Sequence, residues 1–352
     1  MKICCVAALL LAGCSFGGVQ PPVPRASLGW LAARSLPHYV APPQRPDGGP
    51  SWIAPGVDVS TALLYVSDWD TNDVFIYNYA SKTLTGKLTG LREPYGQCIG
   101  ATGQVWIAEA GGFAIAEYAH AAEKPTKRLQ TTGYPIGCAV NHTNGDLAVS
   151  NFTGKSGAGS VQIWKGGTGQ PTTHTLSALY YLWPPAYDDK GNLFVEGQAK
   201  NGLFSVAELI KGGGTLHTVS MPGATIHFAG AALWDGKYVG ITDQNSDNKN
   251  TTVIFRTTVA NFKASIVGRI HLNDDCSHDY ADVMQPFVVP VPGSSPVTIV
   301  GANVSCSSRF DFWPFPSGGR PKVTLQNAPL QPLGQSVSRG SLRKAARKRA
   351  VE

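Results

Sequence analysis

Six oxygen-bearing side chains recur at a near-constant interval and are the residues in this chain best placed to do chemistry together. They are Asp68, Glu109, Asn151, Glu196 (beside Gly197), Asp243 and Asn303, and counting the fourth at Gly197 the steps are 41, 42, 46, 46 and 60 residues. Each closes a short apolar run, as in Tyr-Val-Ser-Asp68, Trp-Ile-Ala-Glu109 and Gly-Ile-Thr-Asp243. Carboxylates and amides gathered at one mouth would suit a hard cation such as Ca²⁺, which takes six to eight oxygen ligands. The alternative use of Asp and Asn at strand ends is to cap turns by accepting backbone N–H bonds. Around Asp68, the run Asp68-Trp69-Asp70-Thr71-Asn72-Asp73 alternates carboxylates. It lacks the Gly at position 6 and the Glu at position 12 of an EF-hand loop, which favours a polar turn. Trp69 and Tyr95 lie in turns and are candidates to stack on a flat ligand, whereas Tyr134 and Trp183 read as packing residues. Among eight His without metal-ligand spacing, His227 in Thr-Ile-His-Phe stands where it could act as a base. No Gly-x-Ser-x-Gly, His-Glu-x-x-His or phosphate-binding loop occurs, so no catalytic residue is assigned.

These positions are set by a repeat. The phrase Leu64-Tyr-Val-Ser-Asp68-Trp-Asp-Thr-Asn72-Asp-Val-Phe-Ile-Tyr77 joins two strands through a polar turn and returns five more times. A second marker at the end of the following strand, Tyr77, Tyr118, Trp164, Leu209, Arg256 and Trp313, keeps nearly the same period. Units of about 40–50 residues with short strands and Gly-rich turns suit four-stranded propeller blades. Long stretches of helical period are missing, which excludes helical solenoids. The innermost strands open with Pro94-Tyr-Gly96 and Pro135-Ile-Gly137, and more loosely at Trp183, Phe228 and Met284. The first unit has no such strand before Leu64, yet Pro332-Leu-Gly334-Gln-Ser-Val337 appears near the C-terminus. The reading is all-β: a six-bladed β-propeller of four-stranded blades over 51–338, closed by a C-terminal inner strand at about 332–338. Closure removes two exposed sheet edges.

The motif Pro-x-Gly-x-x-apolar, then Gly-x-apolar-x-Val-apolar-x-Asp/Asn, then Val-x-x-Tyr resembles the NHL and SMP-30-like six-bladed propellers. Thr143-Asn-Gly145-Asp-Leu-Ala-Val-Ser-Asn151 and Asp189-Lys-Gly191-Asn-Leu-Phe-Val195 carry it most clearly. The whole chain also resembles secreted bacterial lipoproteins built on such blades. SMP-30-like lactonases imply a divalent metal in the channel, and by blade position its ligands would be Glu109, Asn151 and Asp243. Lyases of this fold imply a His base, which would be His227.

The ends of the chain have their own character. Lys2, the apolar run Ile3–Ala12 and Leu11-Ala-Gly-Cys14 read as an export signal covering 1–13. Leu-Ala-Gly-Cys14 resembles a lipobox, which implies a diacylglyceryl group on Cys14 and, with Ser15 following, the outer membrane where the organism has one. From 14 to 50 the chain is rich in Pro and Gly and reads as a lipid-anchored tether. Charged residues make up only 15%, and six of the basic residues behind the net charge of +6 lie in 339–352. The body is therefore close to neutral, unlike a nucleic-acid binder. The tail reads as a basic, disordered end. Four Cys remain after the signal and Cys14: Cys98, Cys138, Cys276 and Cys306. Cys98 follows its Pro by four residues and Cys138 by three, which on period-2 strands puts them on opposite faces. The expected disulfide is accordingly Cys276–Cys306, stapling a long insertion before the sixth blade. The function expected is a monomeric, membrane-anchored, extracytoplasmic module that binds a protein or small molecule without catalysis. The alternative is a metal-dependent lactonase, hydrolase or lyase using the acidic ring, with Ca as the cofactor.

Overall fold

The computed structural model describes residues 49–57, 60–154, 157–246, 252–273, 283–289, 298–303, 309–325 and 332–340. They form six antiparallel sheets arranged as blades of a propeller. Blade 2 is the regular pattern: inner strand Pro94–Ile99, then Val105–Glu109, Ala114–Tyr118 and outer strand Pro125–Gln130. Blade 3 runs through Gly133–Val140, Leu147–Gly154, Gly157–Trp164 and Thr172–His174, and blade 5 through Ala229–Trp234, Val239–Asp243, Thr252–Ala260 and Lys263–Leu272. Blade 6 comprises Val283–Val288, Thr298–Asn303, Arg309–Pro314 and Val323–Leu325. In blade 4 the inner strand is split into Tyr181–Leu182 and Ala186–Tyr187, because Pro184 and Pro185 supply no N–H to a ladder. Leu193–Gln198, Phe204–Leu209 and His217–Val219 complete it.

Blade 1 is closed as expected. Pro332–Ser338 pairs with Leu63–Asp68, with Leu64 opposite Val337 and Val66 opposite Gln335. Asp73–Asn78 and Leu84–Leu88 follow outward, and Trp52–Ile53 adds a fifth strand at the rim. Every residue of Pro332–Ser338 is buried. The second strands read as unbroken apolar runs rather than alternating ones, since each blade is covered on both faces by its neighbours. Leu63–Asp68 is buried at all six positions.

The recurrent Pro-x-Gly has a packing cause. A Cβ on Gly334 of blade 1 would lie 2.3 Å from the Tyr95 carbonyl oxygen of blade 2, and one on Gly96 would lie 2.3 Å from that of Ile136 in blade 3. Each glycine marks the point where one inner strand meets the backbone of the next. Only a residue without a side chain permits that approach.

The cysteine expectation is corrected here. Cys98 and Cys138 form a disulfide, with Cα atoms 5.5 Å apart, well inside the range a bridge requires. Opposite faces are what the bond needs, because neighbouring blades stack front to back. The front of one inner strand looks at the back of the next. Cys276 and Cys306, the pair expected instead, lie outside the described residues, as do Cys14 and 341–352.

Candidate functional site

The six recurrent side chains do lie at or near the same end of their blades, where second strands end and inner strands begin. Pro94 pairs with Glu109, Pro135 with Asn151 and Pro332 with Asp68. All six are buried, and each makes at least one polar contact within the fold, while Asn151 Oδ1 has no hydrogen-bond partner among the described residues. Asp68 Oδ1 accepts from the Asp70 N–H at 2.9 Å, a turn capped by its own first residue, which leaves Asp70 exposed and Trp69 half-buried. Glu109 receives the Arg128 guanidinium at 2.8 Å, from the outer strand of its own blade. Burial pushes the Glu109 carboxyl above the usual range, and Arg128 opposes that rise. Asn151 donates from Nδ2 to Ser160 Oγ and Gln162 Oε1, and Asn303 donates to Asp311 Oδ2, both toward the third strand of the same blade. These bonds aim Glu109, Asn151 and Asn303 outward along their blades, away from one another. Among the described residues no group of three or more His, Cys, Asp or Glu is arranged to hold a metal ion.

Glu196 and Asp243 face the boundary of blades 4 and 5. Glu196 accepts from the Thr242 N–H at 2.7 Å and the Gly230 N–H at 3.2 Å, tying blade 4 to blade 5. Complete burial raises its pKa to about 8, the two N–H bonds pull the other way, and the nearby Asp243 charge adds to the rise. A carboxyl whose folded pKa exceeds its unfolded value of about 4.3 stabilises the fold fully below that value. Stability is then lost as pH climbs toward 8. Between roughly 4.5 and 8 the Glu196 carboxyl therefore contributes a downward slope of stability with pH. Urea unfolding across that window should show it for the native protein, while Glu196→Gln should flatten it; an unchanged slope in the variant would refute the assignment to Glu196.

Two of the expected residues are brought together. His227 Nδ1 lies 3.2 Å from Asp243 Oδ2, and Asp243 Oδ1 accepts from the Phe228 N–H at 2.9 Å. The imidazole is one-quarter exposed while the carboxylate is fully buried. Beside it, Phe152, Trp183, Phe204 and Phe228 pack edge to face with centroids 5.2–6.0 Å apart, sealing this mouth over blades 3 to 5. Tyr95, a candidate stacking residue, is fully buried instead. Tyr134 and Trp183 are buried, in line with the packing role expected of them, and the Tyr134 hydroxyl donates to the Glu93 carboxylate.

Among the described residues, a cavity lies on the other side of the ring. It encloses about 320 Å³ and sits among the far halves of the inner strands, from Gln97 to Ile99 round to Gln335 and Val337. Its lining also takes in the turns that join first to second strands, at His142 and at Asp235–Gly236. Toward the Asp68 side it is blocked by Gln285, whose Nε2 reaches from blade 6 across the axis to the Ile136 carbonyl of blade 3 at 3.0 Å. Gln285 holds φ at 45°, the left-handed region, to do so. Gln335 Nε2 donates to the carbonyls of Met284 and Gln285. Gln97 bridges Ser67 and Ser336, with both bonds at 2.8 Å. The strand-end period does not mark these residues, because they lie mid-strand. One signal was present: Gln follows the glycine in both Pro94-Tyr-Gly-Gln97 and Pro332-Leu-Gly-Gln335.

No protein-family model and no curated protein sequence matches the chain. Solved structures do. A chain of the nidogen/laminin complex matches with a TM-score of 0.58 and 12% identity, over 79% of this chain and 98% of that one. A protein of unknown function from Bacteroides caccae matches with a TM-score of 0.55 and 12% identity, over 80% and 100%. Hydrazine synthase from Kuenenia stuttgartiensis matches at 0.52 and 12%, over 73% of this chain and 75% of that chain. At such identities the likeness is one of fold, and the chain is a six-bladed β-propeller.

Proposed function

We propose that this protein is a membrane-anchored, extracytoplasmic binding module of the NHL/SMP-30-like kind, without catalysis of its own. The observation that carries this reading is how the recurrent Asp, Glu and Asn are used. Each is engaged by backbone or by a side chain of the fold: five brace strands and turns of their own blade, and Glu196 ties blade 4 to blade 5. A disulfide between inner strands suits an oxidising compartment. The chain enters blade 1 at the rim on the Asp68 side, where Ser51 Oγ accepts from the Thr89 N–H at 3.0 Å. The nidogen/laminin match is an assembly of proteins, a use open to this fold. Divalent-metal titration followed by thermal unfolding tests the reading. Ca²⁺ at millimolar concentration should leave the Tm unchanged, and a saturable rise would overturn it, because a bound metal stabilises by mass action. Cys14→Ser should move the protein from the membrane to the soluble fraction; continued membrane partition would refute the anchor.

A second reading rests on the His227–Asp243 pair. A buried carboxylate bonded to Nδ1 orients an imidazole, the arrangement of a general base. In that reading the protein is a hydrolase or lyase at the Asp68-side mouth. A turnover assay on lactone substrates that His227→Asn abolishes would establish it in place of the first.

A further inference from the structure

We propose that the central cavity is a binding site for one uncharged, largely apolar small molecule of up to three rings, seated against the glutamine floor. This rests on the binding-module reading and names the ligand chemistry. At about 320 Å³ the cavity falls at the lower end of the volumes that hold small-molecule ligands, about 300–1,000 Å³. Its walls are Ile99, Ala139, Pro184, Ala231, Pro286 and Val337 with the Cys98–Cys138 bridge, none of which offers a charge, and burial pulls the pKa of His142 in the lining down, which favours its neutral form. The one carboxylate at the rim, Asp235, is already paired with Arg256 at 2.7 Å. An ion entering such a space would lose its hydration without a counter-charge, which costs several kcal/mol.

The polar end of the site is built from amides. Gln335 is 2% exposed, and its Nε2 faces the carbonyls of Met284, Gln285 and Val300 in blade 6. With the polar atoms of Gln97 and the Nε2 of Gln285 and Gln335 bonded within the fold, the space favours apolar surface on a ligand. The site is also preorganised. Gln285 is bonded across the axis, Gln97 is bonded on both sides, and the disulfide joins two of the walls. A ligand entering it has little ordering of the protein to drive.

The test uses the soluble full chain carrying Cys14→Ser and the neutral fluorophore N-phenyl-1-naphthylamine. The expected result is saturable one-to-one binding with a Tm that rises with probe concentration. The anionic analogue 8-anilinonaphthalene-1-sulfonate should bind at least about tenfold more weakly, a difference of about 1.4 kcal/mol. Ala231→Phe, which fills the cavity, should weaken the neutral probe by about tenfold or more; Ala231→Val is the milder substitute should the Phe variant not fold. Absence of saturable binding, equal binding of the sulfonate, or undiminished binding by the filled variant would each overturn the proposal. A silent probe together with a silent metal titration removes the cavity ligand and leaves the module reading standing. A metal-induced rise in Tm removes that reading whatever the probe does.

Discussion

Ending the chain at Gln331 should abolish cooperative folding. The lost segment carries the whole inner strand Pro332–Ser338, buried at all seven positions and paired along Leu63–Asp68. Leu333 and Val337 leave with it, each contributing about 2 kcal/mol of apolar burial, and several ladder hydrogen bonds at about 1 kcal/mol apiece go too. The total is on the order of 10 kcal/mol, comparable to the ~5–15 kcal/mol by which a domain is stable. The truncation also severs contacts to neighbours: Ser336 to Gln97 in blade 2, and Gln335 to Met284 in blade 6. The variant should be recovered mostly insoluble, or soluble without a thermal transition. Ending the chain at Gly340 removes only 341–352 and should melt like the native protein. If the two truncations behave alike and both melt normally, ring closure by this strand is wrong.

Replacing Cys98 and Cys138 together by Ala should lower stability by about 3–4 kcal/mol, from the entropy that a bridge across 40 residues removes from the unfolded chain. Urea unfolding of the native protein with and without dithiothreitol should show a loss of at least this size, and the double variant should be less sensitive to reductant than the native protein. Alkylation of the denatured, unreduced protein followed by peptide mapping offers an independent check, since Cys98 and Cys138 should fail to react. Equal stability with and without reductant would sink the bridge. The site suits the bond. Both sulfurs sit in an apolar cluster with Trp106, Val149 and Trp164 between blades 2 and 3, shielded from exchange.

How much of the molecule was legible in the chain differs from residue to residue. The blade count was readable because each blade repeats its own local grammar. A strand ending at Asp68 or Glu109, a turn, and a strand ending at Tyr77 or Tyr118 are short-range patterns. The strand at 332–338 was readable because its Pro-x-Gly opening belongs to a series with one member missing. The fate of the recurrent acids was not. Whether Glu196 looks into a mouth or into the next blade depends on Gly230 and Thr242, 34 and 46 residues further on. That choice is made by blade stacking, which no local pattern encodes.

The cysteine parity shows the same limit in sharper form. Strand periodicity correctly placed Cys98 and Cys138 on opposite faces of equivalent strands. It could not tell that front meets back around a ring, which turns an argument against a bond into the condition for one. By itself, then, the sequence determined the all-β class, the six blades and the strand that closes them, because these follow from periodicities of two and of forty-odd residues along one chain. The tertiary structure alone decided the disulfide, the pairing of His227 with Asp243, and the glutamine that crosses the axis. His227 meets Asp243 through the fold of one blade, whereas the disulfide and Gln285 join different blades, the latter reaching Ile136, 149 residues away.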